Sequence, residues 1–165
     1  MPNTPCLVRQ GMAVLSAGTY ATPEHIEIAQ SIFSAVGRAI VLPENYMDAV
    51  TGLSGSGPAF VSLIVDALSD AGVRVGLTRD VANTLAVQTI LGTAHMLSET
   101  GEHPARLKEM VTSPGGTAIA GVHALERGGV RAAIIDAIVA ATNRSRELGH
   151  AHNPKEPSHH HHEDE

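Results

Sequence analysis

One segment, residues 58–71, is apolar on nearly every side of the helix that it is predicted to form. Its larger apolar residues are Phe60, Val61, Leu63, Ile64, Val65 and Leu68. A helix that is apolar all round has to be covered all round. The short helices predicted elsewhere cannot do this within one chain, so we expect an oligomer in which the helices of residues 58–71 and 131–148 contact a partner subunit. The alternative is a compact monomeric bundle.

The first 43 residues show a strand, a helix and a second strand. The strands are predicted at residues 12–17 and 38–43, and the helix begins with Thr22 as its N-cap and Pro23 at its first position. This order is typical of a parallel crossover unit. Parallel strands are buried on both faces, so two of them alone do not make a stable sheet. We therefore predict that residues 1–43 are the trailing edge of a domain that begins upstream of Met1.

Beyond Pro43 the pattern is helical. Helices are predicted at residues 44–53, 58–71, 79–97, 104–110, 114–127 and 131–148, with Thr78 capping the third and Gly128 and Gly129 separating the last two. The predicted fold class is mainly α, with a β-α-β unit in front of a helical domain of residues 44–149. Residues 150–165 have low hydrophobicity and mixed charge, which predicts a disordered tail. Its four consecutive histidines lack a scaffold that would fix metal geometry.

Composition and charge exclude several classes of protein. The net charge is −6 and the 11 Lys and Arg residues are scattered, so we expect no nucleic-acid partner. The apolar runs look too short for a membrane span and nothing resembles a signal peptide, so we expect no membrane partner and a cytoplasmic protein. The single cysteine, Cys6, fits a reducing compartment and has no nearby base, which favours an inert thiol.

Two adjacent glycines, Gly115 and Gly116, lie where a helix is predicted to begin, with Ser113 as its N-cap and Pro114 as its first residue. Two glycines in place of alanines cost a helix roughly 2 kcal/mol in propensity. The free N–H groups at a helix start and its partial positive charge favour a small anion, either a carboxylate or a phosphate. The expected donors are Ser113, Gly115, Gly116 and Thr117. The alternative is a tight turn that leads into a capped helix.

Other possible sites are weaker. The glycine-rich stretch of residues 51–60 follows a helix and satisfies neither the Walker pattern nor the dinucleotide fingerprint, which predicts a helix kink with close backbone packing. We find no dinucleotide site in the chain. His95 and His123 have no second ligand at a suitable spacing, so we expect structural or solvent-facing histidines and no metal site.

Five blocks, in this order, resemble pyrroline-5-carboxylate reductase: MPNTP from Met1, DAVTGLSGSGPAF from Asp48, DALSDAGVRVG from Asp66, TSPGGT from Thr112 and LERGGVRA from Leu125. The resemblance runs from residue 1 to about residue 149 and covers the later part of that enzyme. It implies that residues 1–43 end a Rossmann domain and that a helical domain forms a homodimer, which in this family often assembles into rings. The glycine-rich nucleotide loop would then lie upstream.

The resemblance also implies an activity, the reduction of 1-pyrroline-5-carboxylate to L-proline with NADPH or NADH. It places the substrate carboxylate on Ser113 and the backbone N–H groups of Gly115, Gly116 and Thr117. It places Asn3 and Thr4, in the segment that links the domains, near the nicotinamide.

One residue departs from the family pattern. Many relatives have a threonine at the position of Ala118, where its hydroxyl contacts the imine nitrogen. We therefore expect Thr117, or a water, to take over this contact, which makes Thr117 the candidate catalytic residue. The isolated chain is expected not to catalyse. The alternatives are a stand-alone oligomerisation or regulatory module, and a related imine or hydroxyacid reductase.

Overall fold

The structure is a computed structural model and describes residues 1–152. It contains two strands, β1 (Gly11–Leu15) and β2 (Gly37–Val41). The helices are α1 (Pro23–Ser34), α2 (Met47–Val50), α3 (Gly57–Arg74), α4 (Arg79–Thr100), α5 (Pro104–Met110), α6 (Thr117–Arg127) and α7 (Val130–His152). Short 3-10 helices cover Thr4–Val8 and Glu44–Tyr46. The residues Thr51–Gly55 form a π-helical turn, called the π-turn below.

The predicted parallel crossover unit is confirmed. Strands β1 and β2 are parallel, with Gly11 opposite Gly37, and β1 supplies the buried residues Ala13, Val14 and Leu15. A glycine after a helical apolar pattern usually ends the helix, but Gly37 is the first residue of β2. Its φ is 154°, which side chains rarely tolerate, and a Cβ there would overlap the backbone of Gly11.

The start of α1 is capped as the sequence predicts. The Thr22 hydroxyl accepts the N–H of His25, and Nδ1 of His25 accepts the N–H of Thr22, both at 3.3 Å. Pro23 follows the cap. These reciprocal bonds form a capping box, with histidine in the place that glutamate or glutamine usually takes.

The π-turn lies in the glycine-rich stretch where the sequence predicts a kink. Gly52 is buried, and a Cβ there would overlap the hydroxyl of Thr142 on α7. One turn earlier, a carboxylate oxygen of Asp48 accepts the hydroxyl of Ser145 at 2.6 Å. The predicted kink with close backbone packing is therefore confirmed.

Helices α3 and α4 form a closely packed hairpin. A Cβ added to Gly72 would lie 2.8 Å from the Cβ of Ala82. The Ser69 side chain is fully buried, and its hydroxyl donates to Asn83 at 2.5 Å and accepts from Arg79 at 3.0 Å. Because a buried hydroxyl needs its partners, these bonds fix the register of the hairpin.

Helix boundaries differ from the prediction mainly at the ends. Helices α3, α4 and α7 extend beyond the predicted 58–71, 79–97 and 131–148. Thr78 is the N-cap of α4 by position, but its side chain makes no capping bond. The predicted tail of residues 150–165 lies outside the described residues from residue 153 on.

Contacts divide the chain into two units, Met1–Gly55 with Ile138–Glu165, and Ser56–Ala137. The predicted domain boundary after Pro43 stays a prediction. Within the described residues, large apolar side chains on α3 and α7 are exposed by 43% to 69%: Val61, Leu63, Leu68, Ile134, Ile135 and Val139. These side chains are left uncovered within the described residues, and the choice between an oligomer and a compact monomeric bundle stays a prediction.

The stretch Glu44–Arg74 is long and apolar enough to cross a membrane by length and composition, although the apolar runs of the sequence predict no such span. Core helices of water-soluble proteins satisfy the same criteria. Length and composition alone therefore do not identify a membrane segment here.

Candidate active site

The candidate site is the loop between α5 and α6. After α5 ends, the hydroxyl of Thr112 donates to the carbonyls of Lys108 and Glu109, both at 3.1 Å. The N–H of Gly116 then donates to the carbonyl of Ser113 at 3.1 Å, and the φ of Gly115 is 69°. Proline followed by a glycine with positive φ is the signature of a type II turn. The segment from Ser113 to Gly116 is such a turn.

The predicted start of the helix is wrong. The sequence predicts Ser113 as N-cap and Pro114 as first residue, but α6 begins at Thr117 with Gly116 as its N-cap (φ −75°, ψ 173°). The reason is local, because the positive φ of Gly115 cannot continue a helix. The alternative of a tight turn leading into a helix therefore describes the backbone correctly, although no side chain caps α6.

This shift changes which donors are free. The N–H of Gly116, a predicted donor, is used inside the turn. Within the described part of the chain, the N–H groups of Ser113, Gly115 and Thr117 have no backbone acceptor, and the first helical bond of α6 is that from Ala120 to Gly116. The N–H groups of Ala118 and Ile119 are therefore free as well. Sequence reasoning missed these two, although the Pro-Gly pair signals a later helix start.

The two glycines have local explanations. Gly115 adopts a positive φ, and a Cβ on Gly116 would overlap the hydroxyl of Ser113. What still indicates an anion site is the row of free N–H groups at the positive end of an 11-residue helix, with no acidic residue in its first turn. Ser113, Gly115 and Thr117 are exposed, and Ala118 is partly buried.

The opposite end of α6 carries an ion pair. The guanidinium of Arg131 donates to a carboxylate oxygen of Glu126 at 2.6 Å across the Gly128-Gly129 turn. This hydrogen bond, and the charge of Arg131, lower the pKa of Glu126. The pair joins α6 to α7 and lies at the negative end of the helix.

The predicted cofactor residues behave differently from each other. The side-chain amide of Asn3 donates to the carbonyl of Ser54 at 3.1 Å, and its oxygen accepts the N–H of Met12 at 2.8 Å. Thr4 is exposed at the start of a 3-10 helix. Both lie in the first unit, whereas Ser113 to Thr117 lie in the second.

A family model for pyrroline-5-carboxylate reductase dimerisation matches residues 44–148. The chain belongs to this family. A pyrroline-5-carboxylate reductase of Synechocystis is 56% identical over 149 residues, and one of Arabidopsis thaliana is 55% identical over 148. Each match covers 90% of this chain but only 56% and 54% of those relatives. The chain thus spans about half the length of the curated pyrroline-5-carboxylate reductases that it matches.

Solved pyrroline-5-carboxylate reductases share the fold. A structure from Coxiella burnetii is 42% identical to this chain, with a TM-score of 0.86. The match covers 90% of this chain and 55% of the Coxiella chain. A structure from Plasmodium falciparum with NADP bound is 34% identical with a TM-score of 0.85, and the match covers 90% of this chain and 61% of that one. The predicted fold class, a helical domain behind a β-α-β remnant, is confirmed.

The other residues that the sequence offers as possible site residues, His95, His123 and Cys6, lie outside the loop between α5 and α6. His95 and His123 are exposed, on α4 and α6, as expected for solvent-facing histidines. Among the described residues, no group of three or more His, Cys, Asp or Glu could hold a metal ion. The Cys6 thiol is unpaired, and it packs against Gly11 so closely that a Cβ on this glycine would overlap the sulfur.

Proposed function

We propose that the chain is the C-terminal portion of an NAD(P)H-dependent pyrroline-5-carboxylate reductase, which reduces 1-pyrroline-5-carboxylate to L-proline. The observation that carries this proposal is the row of free N–H groups at the start of α6, in a chain that belongs to the dimerisation family of that enzyme. The proposed localisation is cytoplasmic, and the proposed assembly is a homodimer that can build larger rings.

The proposed substrate contact is a carboxylate on backbone donors. The N–H groups of Gly115, Thr117 and Ala118, with the hydroxyl of Ser113, bond the carboxylate oxygens, and the α6 dipole adds a favourable charge. Gly116 contributes by lacking a Cβ, which leaves the Ser113 hydroxyl in place. Charge-assisted hydrogen bonds of this kind are about twice as strong as neutral ones.

The proposed chemistry is hydride addition to the carbon of the C=N bond, with a proton on the ring nitrogen. The bound nicotinamide supplies the hydride. The hydroxyl of Thr117 is exposed, and we place it beside the ring nitrogen, where it orients the protonated imine. Ala118 has no hydroxyl, so Thr117 is the one threonine of this motif in the first turn of α6.

The proposed cofactor is NADPH or NADH, with its main binding loop outside this chain. Asn3 and Thr4 are the proposed contacts from this chain. They fit the group chemically, because the Thr4 hydroxyl is exposed and the Asn3 amide keeps one N–H and one oxygen lone pair beyond its two described bonds.

The substrate contact can be tested without catalysis. L-proline, the product, is titrated into ¹⁵N-labelled chain, and L-prolinamide, which lacks the carboxylate, is the matched control. We expect saturable amide shifts at Gly115, Thr117 and Ala118 with L-proline only. The amides of Arg79 and Asp80 serve as an internal control, since they begin another helix of the same chain. Equal shifts from both ligands, or at both helix starts, would contradict the assignment.

A second function is favoured by the exposed apolar side chains of α3 and α7. The chain then acts as an oligomerisation module that joins full-length subunits. Proline formation is measured with the chain alone and after mixing with a full-length relative, such as the Synechocystis enzyme. Activity of the mixture that differs from that of the relative alone supports the module, and an active isolated chain excludes it.

A further inference from the structure

The helical stretch around the π-turn leaves one carbonyl without its usual partner. In an α-helix the carbonyl of Ser54 would accept the N–H of residue 58, but residue 58 is proline and has no N–H. The next N–H, that of Ala59, donates to the carbonyl of Ser56 at 3.0 Å. Ser54 is partly buried, and a carbonyl that is shielded from water without a donor costs free energy, so a donor from outside the helix stabilises it.

Asn3 supplies this donor. Its side-chain nitrogen lies 3.1 Å from the carbonyl oxygen of Ser54, in a partly buried contact that spans 51 positions of sequence. The other end of the amide, Oδ1, accepts the N–H of Met12 at 2.8 Å. A carbonyl can only accept and an N–H can only donate, so the two partners fix the orientation of this amide.

The Met12 N–H belongs to the edge of β1 that does not face β2. Val14, two residues further along the strand, uses the same edge, because it exchanges both backbone hydrogen bonds with Met1, at 3.0 Å and 2.8 Å. This exchange is the pattern of an antiparallel pair. The segment of residues 1–3 therefore lies along β1, and Asn3 is the point at which it is also tied to the π-turn.

We propose that Asn3, in addition to the cofactor contact proposed above, positions its own segment: its amide clamps residues 1–5 between β1 and the carbonyl that Pro58 leaves free. This inference rests on the proposed function for its consequence, which is that Asn3 holds Thr4 and the neighbouring backbone in place for the nicotinamide cofactor. The clamp itself depends only on hydrogen bonds within the first unit and on the missing N–H of Pro58.

The clamp is tested by a double-mutant cycle in the full 165-residue chain. Asn3→Ala is expected to raise the equilibrium constant of unfolding on the order of tenfold, because two partly buried bonds are lost. Pro58→Ala restores the N–H of residue 58, which is the donor that the carbonyl of residue 54 would use in an α-helix. In that background Asn3→Ala is expected to raise the constant only about threefold, since one partner no longer depends on Asn3. Protein concentration is held constant, because association also changes apparent stability.

Additive effects of the two substitutions would overturn the clamp. The matched control is Asn45→Ala, which removes an exposed amide from the same unit and is expected to change the constant less than about twofold. If Asn3→Ala does not fold, amide exchange in the unmodified chain decides instead. The N–H of Met12 must then exchange at least about tenfold more slowly than exposed amides of the loop of residues 16–21.

A pH profile shows whether residue 3 acts as a hydrogen-bond donor to the Ser54 carbonyl or only fills space. Asn3→Asp keeps the oxygen that accepts from Met12 but turns a carboxylate oxygen toward the Ser54 carbonyl. Protonation restores a donor, so the folded state raises the pKa of this new carboxyl above its unfolded value of about 3.9. Stability is then full below the unfolded pKa and is lost as pH rises through the folded pKa. The ratio of unfolding constants, variant to unmodified chain, should fall toward one between pH 7 and about pH 4, and a flat ratio would refute the clamp.

The functional consequence has its own measurement. In an active assembly that contains the chain, Asn3→Ala should raise KM for NADPH several-fold and change kcat at saturating nucleotide less than about twofold. For Asn3→Asp, KM for NADPH should return toward the value of the unmodified chain as pH falls. If no such assembly is active, the proposed function fails while the stability cycle still decides the clamp. A change in kcat alone, with KM unaltered, would show that Asn3 does not position the nucleotide segment.

Discussion

At the scale of single residues, one buried serine hydroxyl departs from the usual pattern, because it makes no hydrogen bond. Among the described residues, Ser16 Oγ is the one buried side-chain polar atom without a hydrogen-bond partner. A buried polar group without a partner costs about 1 to 3 kcal/mol. Ser16→Ala should therefore raise the free energy of unfolding by about 1 kcal/mol in urea denaturation. Ser34→Ala, at an exposed serine, is the control and should change it little. A loss of stability in Ser16→Ala would mean that the hydroxyl has a partner.

The glycines of the candidate site make a second prediction at this scale. Gly115 has a φ of 69°, whereas Gly121 lies inside α6 with open space where a Cβ would be. Gly115→Ala should therefore destabilise the chain by about 1 kcal/mol or more, because a left-handed backbone strains alanine. Gly121→Ala should stabilise it by up to about 1 kcal/mol through helix propensity. Thermal unfolding of both variants decides this, and similar effects would contradict the type II turn.

At the scale of elements, the α3–α4 hairpin depends on one close approach. A Cβ on Gly72 would meet that of Ala82 at 2.8 Å, whereas one on Gly92 in α4 would meet nothing within 4 Å. Gly72→Ala should destabilise the chain by about 1 to 3 kcal/mol, as overpacking does. Gly92→Ala should be neutral or stabilising. Equal urea midpoints for the two variants would show that the helices can separate at little cost.

The α6–α7 turn has a pH dependence that follows from its ion pair. Arg131 lowers the pKa of Glu126 below 4.5, first by its hydrogen bond and then by its charge. A lowered folded pKa means that the stabilisation is present above the unfolded pKa and is lost as pH falls through the folded one. Glu126→Gln should therefore reduce the loss of stability below about pH 4.5. The effect should be small and shrink in high salt, because the pair is exposed.

Elements differ in how far the sequence predicts them. The cap at Thr22, the kink near Gly52 and the Gly128-Gly129 break carry local signals, and all three are found. The sequence misplaces the start of α6, because proline is common both at the first position of a helix and in a type II turn. The positive φ of Gly115 shows that Pro114 belongs to the turn. The amide bonds of Asn3 could not be predicted, since their partners lie at Met12 and Ser54 and no local pattern links these positions.

At the scale of the whole molecule, the exposed apolar side chains of α3 and α7 are predicted to contact a partner subunit. Leu63 is exposed by 69% and Ile135 by 55%, and both lie within residues 44–148, which match the dimerisation family. Leu7 is exposed by 87% but lies outside that match. Leu7 is therefore more exposed than either of the other two side chains, and only its position in the chain distinguishes it.

This contrast gives a prediction for association. At micromolar concentration the unmodified chain should sediment as a dimer, because apolar surface on two helices is removed from water, at roughly 25 cal/mol per Å². Leu63→Glu and Ile135→Glu should each weaken the dimer by at least about tenfold, since a carboxylate is costly to bury without a partner. Leu7→Glu should leave the dissociation constant within about threefold, because exposed charge costs little. A dimer weakened by Leu7→Glu as much as by Leu63→Glu would place the contact at residues 4–8, and an unmodified chain that stays monomeric would require α3 and α7 to be covered by a different protein.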